Sequence, residues 1–157
     1  MISLVQTSQN RVKELLRYVE SLNAQENIDF SKIQLIFVDQ GDCKEAFKHL
    51  NPQIDFKYIK YKPSSLSHAR NVGLAYVKGK FVSFPDDDCW YEKDTLSKVL
   101  VKLNSHDGVL IKATNEHGIP LAKYPHHNQK HRCIIIVALA LFAYFCIMMS
   151  KFVLMKI

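Results

Sequence analysis

Apolar residues along this chain gather alternately in short runs and in a helical period. ISLVQ (Ile2–Gln6) is an apolar run closing in polar TSQNR, which predicts a buried strand and its loop. Val12, Leu15, Leu16, Val19 and Leu22 then recur at the 3.6-residue period, predicting an amphipathic helix with Asn10 as its cap. IQLIFVD (Ile33–Asp39) predicts a second buried strand, stopped by an aspartate before Gly41. A short helix is expected over Lys44–Leu50, and IDFKYIKY (Ile54–Tyr61) alternates as a more exposed strand that Pro63-Ser64-Ser65 breaks. SLSHARNVGLAYVKG predicts a helix with Leu66, Ala69, Gly73, Tyr76 and Val77 on one side and Gly79 ending it. KFVSF (Lys80–Phe84) is another buried strand, running straight into Asp86, Asp87 and Asp88. Leu96, Val99, Leu100 and Leu103 mark one more helix, and GVLIKA (Gly108–Ala113) one more strand.

Strands alternating with helices predict an α/β fold, a mostly parallel sheet with helices on both faces. In open sheets of this kind ligands bind beyond the carboxyl ends of the strands. Thr7, Ser8, Asp39 and Asp86 to Asp88 are the residues expected there, in one candidate site assembled from three strands.

The chain has 157 residues, 48% of them hydrophobic, enough for one domain with a core and incompatible with general disorder. The net charge is +6, but the lysines are scattered rather than interleaved with aromatics, so no nucleic-acid partner is expected. The four cysteines show no CxxC spacing, which argues against a zinc site; a reducing cytosolic setting with free thiols is expected. Cys133–Met149 contains no charged residue and, as a helix, spans about 26 Å. With its continuation to FVLM it is expected to form an apolar transmembrane helix, flanked by basic His126, His127, Lys130, His131 and Arg132. The expected organisation is therefore a domain over 1–130 and a hydrophobic tail over 131–157, with the domain tethered at the cytoplasmic face of a membrane.

The chemistry of the strand ends narrows the function. TSQNR lacks the glycines of a dinucleotide-binding turn, and no P-loop is present. Three adjacent carboxylates repel one another, and a hard cation, Mg²⁺ or Mn²⁺, carrying a phosphorylated ligand is their natural complement.

Taken together, IQLIFVDQ, SLSHARNVGLAYVKGKFVSF and FPDDDCWY resemble the nucleotide-sugar-binding half of family 2 glycosyltransferases, which have the Rossmann-like GT-A fold. The resemblance runs from about Ile2 to Leu103 and more loosely to about Lys130. It implies a nucleoside-diphosphate sugar of the UDP or dTDP type, held by Thr7 or Ser8, Arg11, Asp39, Arg70, Asp86 and Asp87, with Asp86 and Asp88 on the metal. It also implies transfer to an acceptor glycan or lipid-linked sugar in surface polysaccharide synthesis. The family's catalytic base has no counterpart here, since Asp94, Asp107 and Glu116 do not sit in its motif. The domain therefore reads as incomplete. The alternatives are a non-catalytic remnant with the same donor pocket and a metal-dependent nucleotidyltransferase, against which the glycine-free first loop argues.

Overall fold

The computed structural model describes residues 1–111 and 135–139. Nine regular elements follow in order: β1 (Ile2–Ser8), α1 (Val12–Asn23), β2 (Ile33–Asp39), β3 (Asp55–Lys60), α2 (Leu66–Leu74), β4 (Phe81–Ser83), α3 (Thr95–Lys102), β5 (Gly108–Ile111) and β6 (Ile135–Leu139). The six strands form one sheet in the order β3-β2-β1-β4-β6-β5. The first four are mutually parallel, and β6 runs antiparallel to both its neighbours.

The two-residue period of an extended chain sorts the strand residues between two cores. On one face Ile2 and Leu4 of β1 and Ile33, Leu35 and Phe37 of β2 meet Leu15, Tyr18, Val19 and Leu22 of α1 and Leu96 and Val99 of α3. On the other face Val5, Ile36, Val82 and Phe84 meet Leu74 at the end of α2. Helices therefore cover both faces, which is why β1 and β2 are buried along their whole length. Gly73 lets α2 sit this close, because a Cβ there would fall 2.5 Å from Val5 Cγ1.

Four local expectations are corrected. Asn10 does not cap α1; Arg11 occupies the cap position without a side-chain hydrogen bond, and Asn10 takes a φ of 60°. α2 stops at Leu74, short of Gly79, and Ser65 is its cap. After Leu74 the chain is tied to the sheet instead: Lys78 N–H donates to Gln34 Oε1 and Gly79 N–H to Ser3 Oγ, both at 2.9 Å. Leu66 and Tyr76, expected on the buried side, are exposed. The segment from Lys44 is a short 3-10 turn ending at Phe47.

Ile135–Leu139, expected inside an apolar helix, is strand β6, hydrogen-bonded to β4 on one side and β5 on the other. Strands inside an α/β sheet read as continuous apolar stretches, so periodicity does not separate these five residues from a helix. The rest of the expected tail helix lies outside the described residues. Among the described residues no helix is long and apolar enough to cross a membrane. The expectation of free thiols holds for the buried Cys43 but not for Cys89, which is disulfide-bonded.

Candidate functional site

The direction of crossover reverses at β1, with β2 on one side and β4 on the other. The carboxyl ends of these three strands are where such a sheet binds ligands. Parallel pairing puts Ser8 opposite Asp39, and Gln40 N–H donates to Ser8 O at 3.0 Å, so the loops after β1 and β2 leave the sheet side by side. Asn10 Oδ1 accepts from Asp42 N–H at 3.0 Å and closes the two loops on each other. Gly41 permits that approach, because a Cβ there would overlap the Asn10 side chain.

Asp39 is sealed. Its side chain is 0% exposed. Gly41 N–H donates to Oδ1 at 2.9 Å, Cys43 N–H to Oδ2 at 3.0 Å, and Tyr58 O–H to Oδ2 at 2.8 Å. Lys60, opposite Asp39 in the β2–β3 register, holds its ammonium 3.7 Å from Oδ2 and also donates to Gly41 O. Burial alone pushes this carboxyl up, but the two N–H groups, the phenol and the lysine outweigh it and leave Asp39 below its ordinary value. The same contact and burial push the Tyr58 phenol up to about 12.

The acidic triplet beyond β4 is held in a different way. Its far end is fastened to α1, where the Arg17 guanidinium lies 3.2 Å from the Trp90 ring centre and Tyr91 N–H donates to Ser21 Oγ at 3.1 Å. Two arginines then bracket the carboxylates. Arg70, on α2, donates from Nη2 to Asp86 Oδ1 at 2.8 Å and packs over the Phe84 ring. Arg11, at the start of α1, places Nη1 2.6 Å from Asp87 Oδ1 and 3.5 Å from Asp88 Oδ2. Ser8 Oγ donates to Asp87 Oδ2 at 2.6 Å. Burial pushes the Asp86 carboxyl up, Arg70 pulls it back only in part, and neighbouring Asp88 and Asp87 raise it again, so it ends above its ordinary value.

The structure thus gathers Ser8, Arg11, Arg70 and Asp86 to Asp88 into one contact network, with Asp39 on the adjoining strand end. Of the two first-loop candidates, Ser8 touches the triplet, while Thr7 is buried one residue earlier opposite Val38. Tyr58, Lys60, Asn10 and Gly41 also shape the site and were not anticipated. Their only sequence signal is position at or near a strand end, and it becomes readable once the strand register is known. Asp94 pairs with Lys98 at 2.5 Å, Asp107 is exposed, and Glu116 lies outside the described residues.

The donor set suits a hard divalent cation. Asp86 and Asp88 offer carboxylate oxygens on side chains 35% and 40% exposed. Among the described residues no group of three or more His, Cys, Asp or Glu side chains encloses a metal, so phosphates and waters would have to complete its shell.

The Bacillus subtilis minor teichoic acid biosynthesis protein GgaB is 31% identical to this chain over 76% of its length. The structure of Staphylococcus aureus TarS residues 1–349 in complex with UDP-GlcNAc superposes with a TM-score of 0.62 at 21% identity over 76% of this chain. The Pyrobaculum calidifontis mannosyltransferase PcManGT, solved with GDP-Man and Mn²⁺, gives 0.62 at 16% identity over 72%. At those identities the two structures show the fold alone, a GT-A-type α/β sheet. The chain spans 16% of GgaB's length and 36% and 35% of the two structural neighbours. The family model for glycosyl transferase family 2 matches residues 3–154, running past the basic flank and through the apolar segment. With that match over nearly the whole sequence, and with the strand-end acidic loop in the place the family resemblance implied, the chain belongs to glycosyl transferase family 2.

Proposed function

We propose that this chain binds a nucleoside-diphosphate sugar beyond the carboxyl ends of β1, β2 and β4, as the donor-binding part of a glycosyltransferase acting on a surface polysaccharide or its lipid-linked precursor. The observation that carries the reading is the meeting of Ser8, Arg11 and Arg70 with Asp86, Asp87 and Asp88 at the switch point of a family 2 chain. Support comes from the neighbours of the same fold solved with UDP-GlcNAc and with GDP-Man and Mn²⁺, and from GgaB's part in teichoic acid synthesis.

In this reading Asp86 and Asp88 would hold Mg²⁺ or Mn²⁺, and the cation would supply positive charge to a departing diphosphate. Arg70, packed against Phe84, keeps Asp86 in place. Ser8 fixes Asp87, which sets the direction of the turn that presents both metal carboxylates. Asp39 holds the Gln40–Cys43 turn beside the nucleoside, with its carboxylate fully used by the chain itself.

The test is titration of the full chain with UDP, dTDP and GDP, with and without Mn²⁺. At least one should bind about tenfold or more tightly with the cation, and chelator should reverse the gain. Affinity indifferent to both cation and chelator would overturn the cation reading.

A further inference from the structure

The two arginines at the acidic loop are not equivalent. Arg70 is 22% exposed, leans on the Phe84 ring and grips Asp86 alone. Arg11 is 45% exposed, and among the described residues its guanidinium hydrogen bonds go only to the loop, with one nitrogen set between Asp87 and Asp88. A cation held by Asp88 would meet that nitrogen as a like charge on the same carboxylate, and the repulsion at such separations is not screened by salt.

From this the geometry points to Arg11 as a built-in competitor for the divalent cation. Resting on the cation reading above, the inference is that Arg11 neutralises Asp87 and Asp88 until cation and nucleoside diphosphate arrive. It then leaves the carboxylates, and its guanidinium turns to the incoming diphosphate. A long, half-exposed side chain exchanges partners readily, and an exposed ion pair is weak enough to be broken by the ligand. The consequence is coupling. Cation alone binds against Arg11, diphosphate alone finds Arg11 occupied, and the two together satisfy every charge.

The probe is Mn²⁺ alone, followed by electron paramagnetic resonance on the full chain and then repeated with UDP, or with whichever of dTDP and GDP binds. Arg11→Ala should bind Mn²⁺ without nucleotide about three- to fivefold more tightly than the wild type, the factor one exposed ion pair is worth. Arg11→Lys should stay near the wild type. Nucleotide should tighten Mn²⁺ binding less in Arg11→Ala than in the wild type. Arg17→Ala removes an equal charge nearly two turns further along α1, where the guanidinium lies on Trp90 instead of the loop, and should change nothing. Unchanged Mn²⁺ affinity in Arg11→Ala, or an equal gain in Arg17→Ala, would overturn the exchange while leaving the cation reading standing. Absence of Mn²⁺ binding in every chain with nucleotide present would overturn both.

Discussion

Asp39 and Asp86 both follow a buried parallel strand at the same edge of one sheet, yet their carboxyl groups shift in opposite directions. The more deeply buried of the two is the one held charged. Asp39 has three hydrogen-bond donors of its own chain and a lysine, and these outweigh its desolvation. Asp86 is pushed up by its own desolvation, and one arginine, opposed by two like-charged neighbours, does not offset it. The balance of desolvation against the count and quality of partners decides in which direction a strand-end carboxylate shifts. The carboxylate at the end of β2 is taken up by its own chain, and the loop after β4 is where the ligand proposed above would sit.

The largest expected effect breaks the first half of the comparison. Asp39→Ala strands two N–H groups and a phenol in the interior and should cost about 3 kcal/mol by urea denaturation. A cost under about 1 kcal/mol would mean the turn does not depend on the carboxylate. Acid should show the same dependence. Because the folded Asp39 value lies below the unfolded one, its contribution is complete above about pH 4 and is lost as pH falls through the folded value. The stability gap between wild type and Asp39→Asn should therefore be constant from neutral pH to about 4 and narrow below it. A gap that widens on acidification would reverse the sign of the shift.

Tyr58→Phe removes one of the three donors and should cost about 1 kcal/mol, with Asp39 still charged. The smallest effect sharpens the other half of the comparison. Asp88→Ala should leave stability within about 0.5 kcal/mol, since its side chain is well exposed and carries no part of the core. Stability loss approaching that of Asp39→Ala would make the triplet architectural as well.

Strands β1 and β2 were legible because a run of apolar residues buried on both faces has no competing pattern, and the period-2 sorting into two cores follows from it. The ends of helices were less legible. Gly79 looked like the stop of α2, but the tie of Gly79 and Lys78 to Ser3 and Gln34 ends the helix a turn earlier, through contacts 44 to 76 residues apart in sequence. Ile135–Leu139 was misread for a different reason, because the periodicity of a short charge-free run does not separate a strand from a helix. At the site the acidic triplet stood out by residue type, and Arg11 and Arg70 through the family resemblance. The sealing of Asp39 did not, because Tyr58 and Lys60 reach it only through the β2–β3 register.

The measurement that tests the division most directly is UDP, dTDP and GDP titration with and without Mn²⁺, carried out side by side on wild type, Asp88→Ala and Asp39→Asn. Asp88→Ala should lose the cation-dependent gain, about tenfold or more, and keep whatever affinity remains without metal. Asp39→Asn should weaken binding by the same factor in both conditions, because it acts through the turn and not through the cation. A cation-dependent gain that survives in Asp88→Ala, or that disappears selectively in Asp39→Asn, would contradict the assignment of the β4 end to the ligand and the β2 end to the fold.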